Sequence, residues 1–182
     1  MVTRGELNSA VGWWASARAD FDRAEALAQQ LDNTTLSLSV LNARGLLLLE
    51  QGHFDAAVRW LDRALPLSRG IDRGRSEAMV VGNLGNAHLG LGHCQLALEH
   101  GERGLHLRRQ AGDLPGEAWA LTQQARVWQA LGDFNQAIAL CRNAITIGHN
   151  TPLSRSYTVA QPLDVLASCL HQLGRTSEAI TC

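Results

Sequence analysis

Residues 83–105 read NLGNAHLGLGHCQLALEHGERGL, and this stretch decides the fold. It is too apolar for a surface loop, yet its glycines are badly placed for one continuous helix. Gly85, Gly92 and Gly104 are explained only if the stretch is one copy of a repeated unit, so we looked for the same offsets elsewhere in the chain.

The offsets recur through the whole sequence. Gly12, Gly52, Gly92 and Gly132 are spaced by 40 residues, and Gly174 follows after 42. An alanine stands five residues after each of these glycines: Ala17, Ala57, Ala97, Ala137 and Ala179. A small residue stands seven residues before each: Gly5, Gly45, Gly85, Ala125 and Ala167. Twelve residues after the first four come Ala24, Ala64, Gly104 and Ala144.

Each repeat has the pattern of two helices. Apolar residues such as Leu121, Ala125 and Trp128 precede the glycine at helical spacing, and a second helical pattern follows it. Glycine suits the corner between them because it adopts positive φ without a Cβ clash. Small residues let the paired helices, A and B, approach closely. The repeat predicts an all-α fold, an α-solenoid of antiparallel helix pairs.

We expect a single domain, residues 1–182, of about four to five units. The approximate units are 1–32, 33–72, 73–112, 113–152 and 153–182. Asp113 is the predicted N-cap of one helix A, with Pro115 in its first turn, and Asp72 is the equivalent residue one unit earlier. Pro162 predicts that the last helix A either starts late, near Gln161, or kinks there.

The first and last units are incomplete, and neither end resembles a polar capping helix. We therefore expect the chain to be a piece of a longer array, or to pair end to end with a second copy. Light scattering at several concentrations tests the pairing.

Composition excludes several classes of function. All sixteen basic residues are arginine, so no P-loop or Schiff-base lysine exists, and the net charge of −1 gives no general attraction to nucleic acid or anionic membranes. No apolar run is long enough to span a bilayer, and no signal peptide precedes the repeats. Four widely spaced cysteines indicate reduced thiols and a cytoplasmic protein.

No catalytic motif occurs, and we expect no enzyme activity, no cofactor and no metal. His53 and His93 follow corner glycines and should be exposed, whereas His88 is expected to pack between the helices. Cys94 and Cys141 take core positions, where cysteine acts as a small hydrophobe. The arginines cluster near the ends of helices B among acidic residues, so nucleic-acid binding is unlikely.

The repeat resembles the tetratricopeptide repeat (TPR) over nearly the whole chain. The matching residues are Val81, Leu84, Gly85 and His88 on one helix A, and Ala17, Phe21 and Ala24 on one helix B. The period is 40 rather than about 34 residues, and the proline that usually closes a unit is missing. The longer period is similar to that of Leu-Gly-Asn-repeat proteins and of AfsR-like and MalT-like bacterial regulators with an NB-ARC (STAND) ATPase module.

The resemblance implies a right-handed superhelix whose A helices line a concave groove. Its partner-facing offsets fall on Asn42, Leu46, Leu49, Glu50, Met79, Asn86, Leu89, Trp119, Thr122, Arg126, Gln129, Asp164, Ser168 and His171. Trp119 is the expected anchor, Arg126 the expected partner of a carboxylate, and Asn86 a ligand of a peptide backbone. The lysine-rich carboxylate clamp of chaperone-binding members is absent.

These features predict a non-catalytic scaffold that binds a peptide or a partner domain in the groove. The alternative is an effector-sensing segment of a larger NB-ARC-type regulator of transcription or signalling. A P-loop ATPase module upstream in the full reading frame would decide for the alternative.

Overall fold

The computed structural model describes residues 14–150 and 155–180, and within these ranges all regular structure is helical. The α-helices are α1 (Trp14–Gln30), α2 (Thr34–Glu50), α3 (Phe54–Ser68), α4 (Arg75–Gly90), α5 (Cys94–Gln110), α6 (Leu114–Ala130), α7 (Phe134–His149), α8 (Arg155–Gln172) and α9 (Thr176–Ile180). A short 3₁₀ turn, Asp72–Gly74, precedes α4.

The predicted glycine corners are confirmed. Gly52, Gly92, Gly132 and Gly174 have φ of 73°, 76°, 82° and 73°, and each follows a helix A. The amide after each glycine donates to a carbonyl five residues earlier, as His53 does to Leu48 at 2.8 Å. This is the Schellman pattern, which ends a helix when the residue after the C-cap has a left-handed backbone conformation. Gly12 lies outside the described residues.

Small residues lie where the paired helices meet. A Cβ on Gly85 would stand 3.3 Å from the backbone oxygen of Ala97, and one on Gly45 would stand 2.6 Å from Leu61. Ala57 and Ala137 are fully buried at the positions equivalent to Ala97. The helices pack closely because these residues have little or no side chain, as the repeat predicts.

The helix pairs stack into a two-layered solenoid. Each helix packs against the next in the chain, and the successive A helices α2, α4, α6 and α8 also contact one another. No comparable contact joins successive B helices among the described residues. The array therefore bends with its A helices on the inner side, and the core lies between the layers, for example around Leu61 and Leu84.

One of the two alternatives predicted for α8 is wrong, and the other, a kink at Pro162, stays a prediction. Helix α8 begins at Arg155 and continues through Pro162, so the late start near Gln161 is wrong. Pro162 is fully buried. Burial of the ring stabilises the helix in place of the hydrogen bond that proline cannot donate.

The two links differ in their capping. Asp113 is the N-cap of α6 as predicted, and its carboxylate accepts from the Gly116 amide at 3.1 Å. Asp72 is not the N-cap of α4, because Gly74 occupies that position with a φ of 83°. The Asp72 carboxylate instead accepts from the amide of Ser76 at 2.8 Å and from its hydroxyl at 2.9 Å.

Candidate binding groove

The inner face contains a recess lined by three successive A helices and by Phe54 at the start of α3. Its apolar wall consists of Leu46, Leu49, Phe54 and Leu89. Glu50, Asn86, Gly90 and Arg126 complete the lining, and the recess encloses about 330 Å³. Five of these residues were expected from the resemblance on α2 and α4, and Arg126 on α6, so the structure brings these six together.

A second recess of about 230 Å³ continues the inner face toward α8. It is lined by Thr122, Arg126, Gln161, Asp164 and Val165. Arg126 therefore borders both recesses, and its guanidinium is positioned to reach a ligand in either one.

Two polar side chains bordering the first recess have few protein partners. Arg126 is exposed, and its single hydrogen bond is a long one of 3.3 Å to Gln123 on its own helix. Among the described residues it forms no ion pair. Asn86 is half-buried and makes no side-chain hydrogen bond within the described part of the chain. A cation and an amide beside an apolar wall can together bind a carboxylate and a peptide group.

Other predicted groove residues bind each other instead. The Asn42 amide accepts from the Asn83 amide at 2.9 Å and donates to the Met79 sulfur at 3.7 Å, which links α2 to α4. Gln129 donates to the Ser168 hydroxyl at 2.9 Å, which links α6 to α8. Adjacent A helices lie close enough for these side chains to satisfy one another.

The expected exposure of Asn42 and Thr122 on the groove is wrong. Asn42 is 5% exposed and Thr122 is 1% exposed. The Thr122 hydroxyl donates to the Ala118 carbonyl at 2.8 Å, one turn earlier in α6. Both side chains are covered because the neighbouring A helix packs over them. Asp164, Ser168 and His171 are exposed, as expected.

Trp119, the expected anchor, is partly engaged within the protein. Its ring lies against Gly82 of α4, where an added Cβ would stand 2.6 Å from the indole. The Arg108 guanidinium lies over the same ring, 4.9 Å from its centroid. The indole is half-buried, so this residue joins α4 to α6. Its role as an anchor for a partner remains a prediction.

Three arginines in the second half of α5 lie beside acidic residues. Arg103 pairs with Glu77, and Arg109 donates to Glu117 at 2.7 Å. Burial lowers the pKa of Arg108, and the nearby Asp113 raises it in opposition. The Arg103 pair joins α5 to the preceding α4, and the Arg108 and Arg109 pairs join α5 to the following α6 and its N-cap.

Two clusters were not predicted. Between α1, α2 and α3, Arg44 and Arg63 lie 4.6 and 4.5 Å from the centroid of the Trp60 ring, and both pair with Glu25 of α1. The second cluster joins His88, His93 and His100 across the Gly92 corner. Both clusters could have been predicted from the sequence, because the two helices that flank each corner glycine pack antiparallel and bring residues before and after the glycine together.

The remaining predicted positions are mostly as expected. His53 and His93 are exposed, Cys141 is buried, and Cys94 is only half-buried.

Within the described ranges, no group of three or more His, Cys, Asp or Glu side chains is arranged to hold a metal ion. None of the described helices combines the length and the apolar character that crossing a bilayer requires.

Comparison with known proteins gives one family-model match and several structures of the same fold. Residues 39–110 match the family model described as tetratricopeptide repeat. BtubC (BKLC) from P. vanneervenii has a similar structure, with a TM-score of 0.81 and 18% identity over 98% of this chain and 73% of that one. The apo form of RapI gives a TM-score of 0.78 and 12% identity over 99% of this chain, which spans only 50% of RapI.

A Podospora anserina putative kinesin light chain with nearly identical TPR-like repeats gives a TM-score of 0.75 and 18% identity, over 99% of this chain and 88% of that one. At these identities the likeness shows the fold alone. No curated protein sequence matches significantly. The similarity to Leu-Gly-Asn-repeat and NB-ARC proteins therefore stays a prediction. Residues 39–110 carry the tetratricopeptide-repeat signature, and the same helix pairs continue beyond them.

Proposed function

We propose that this protein is a non-catalytic scaffold that binds an extended segment of a partner protein in the groove lined by its A helices. The observation that carries the proposal is the first recess, where leucines from α2 and α4 lie beside Asn86 and Arg126. Such a wall suits an aliphatic or aromatic side chain, with polar groups placed to fix the segment's direction.

The partner segment has a stated chemistry. Leu46 is 36% exposed and lies in one recess with Leu49 and Leu89, so an apolar side chain of the partner would cover it. Arg126 is available to a carboxylate of the partner that lies one or two residues along the segment from this apolar side chain. Asn86 is available to a peptide group through both its carbonyl and its NH₂.

Selection from a displayed library of random short peptides tests the proposal. We expect the protein to select peptides that carry Asp or Glu close to Leu, Ile, Met or Phe. Leu46→Glu should weaken the binding of the selected peptides by about tenfold or more, since a charge would enter the apolar recess. Leu96→Glu is the matched control, because Leu96 is 41% exposed on α5, outside the recess.

Arg126→Ala should weaken the same peptides by roughly tenfold or more, through loss of a charge-assisted hydrogen bond. Arg59→Ala is its control, because Arg59 is exposed on α3, a B helix. Equal affinity of the Leu46→Glu and Leu96→Glu proteins would reject the groove as the binding site.

A further inference from the structure

Three imidazoles meet at the corner between α4 and α5. His88 is on α4, His93 is at the corner and His100 is on α5. The His88 and His100 rings are stacked, with centroids 5.3 Å apart and planes inclined by 3°. The His93 ring lies 5.8 Å from His88 at an inclination of 35°. His88 therefore lies beside both of the other imidazoles at this corner.

Few opposite charges surround these rings. Asp62 of α3 acts on both His88 and His100, and Glu99 of α5 acts on His100. Arg103, also on α5, adds a positive charge near His100. The Nδ1 atom of His88 is buried and has no hydrogen-bond partner within the described ranges. The cluster therefore has little that would stabilise protonated rings.

The protonation equilibria follow from this geometry. Burial lowers the pKa of His88, His93 lowers it further, and Asp62 opposes them. Burial also lowers the pKa of His100, and His88 adds to this effect. The unfolded chain takes up these protons near its ordinary value of 6.5, whereas the folded chain resists them. The stability that the neutral rings give is present above that value and is lost as the pH falls below it.

We propose that the stacked pair His88 and His100 forms an acid-sensitive joint, at which protonation separates α5 from α4 at the Gly92 corner. Two stacked rings cannot both become positive at 5.3 Å without repulsion, and one compensating carboxylate from α3 serves both. The joint lies close to the groove, because α4 also supplies Asn86 and Leu89 to the first recess. The inference itself rests on the cluster and not on the proposed function.

Hydrogen exchange at about pH 7.5 and about pH 5.5, corrected for intrinsic rates, tests the joint. We expect amides of residues 84–105 in the wild-type protein to lose about tenfold in protection at the lower pH, with little change in α7. The double variant His88→Gln/His100→Gln should lose this pH dependence. His106→Gln is the matched control, since His106 is exposed on α5, and it should keep the wild-type behaviour.

Titration of the imidazole NMR signals in the wild-type protein is a second readout that needs no variant. His88 and His100 should titrate below the ordinary value of 6.5. The proposal is overturned if they titrate at or above the ordinary value. It is also overturned if the double variant folds and keeps the acid-induced loss of protection.

Discussion

Gly45 and Gly104 both lie within helices, but an added Cβ would clash at Gly45 and would fit at Gly104. At Gly45 the added Cβ would stand 2.6 Å from both Cγ and Cδ2 of Leu61, which is itself fully buried. At Gly104 the nearest atom is a Val81 methyl at 3.4 Å, an ordinary contact. The positions equivalent to Gly104 already carry alanine, for example Ala64 and Ala144.

Gly45→Ala should therefore lower the free energy of unfolding by about 1 kcal/mol, because overpacking against Leu61 exceeds the gain in helix propensity. Gly104→Ala should raise it by up to about 1 kcal/mol, because the helix gains propensity without a clash. Urea unfolding of both variants gives the comparison. Equal destabilisation by the two would contradict this account of the close contacts.

Thiol reactivity is a second property set by single residues. Burial, together with the nearby Cys169, raises the pKa of Cys141 to about 12. Almost no reactive thiolate exists there at about pH 8 in the folded protein. We expect a short alkylation followed by peptide mass spectrometry to modify half-buried Cys94 well before Cys141. Rapid modification of Cys141 without denaturant would contradict its placement in the core.

At the scale of the element, the corners could be predicted because glycine's freedom at positive φ is a local property. Where α8 begins could not be decided from the sequence, because Pro162 is accommodated by burial in the core and not by its sequence neighbours. The same holds for Asp72, where the backbone of the following Gly74 decides which residue caps the helix.

Capping of the B helices gives a prediction at this scale. Asp133 caps α7 by accepting from the Gln136 amide at 3.0 Å, whereas His53, at the equivalent N-cap of α3, makes no such bond. Asp133→Ala should cost about 1 kcal/mol of stability, and His53→Asp should add about 0.5 to 1 kcal/mol. Thermal unfolding followed by circular dichroism measures both. A loss of stability in His53→Asp would show that the two corners are not equivalent.

At the scale of the whole molecule, the solenoid could be predicted because its determinants recur every 40 residues. Much of the groove could be predicted for the same reason, since repeat offsets place Leu46, Leu89 and Arg126 on the inner side. The offsets do not show whether a neighbouring unit satisfies a side chain. Asn42 and Asn83 are 41 residues apart, and only the stacking of α2 on α4 brings their amides to 2.9 Å.

At this scale the proposed function requires that the inner face of the array binds a polypeptide segment. The most direct measurement is an NMR footprint, in which a peptide selected by display is added to the labelled protein. We predict that the largest shifts fall on α2, α4 and α6, at Leu46, Asn86, Leu89 and Arg126. Shifts confined to the B helices α3, α5 and α7 would contradict the claim.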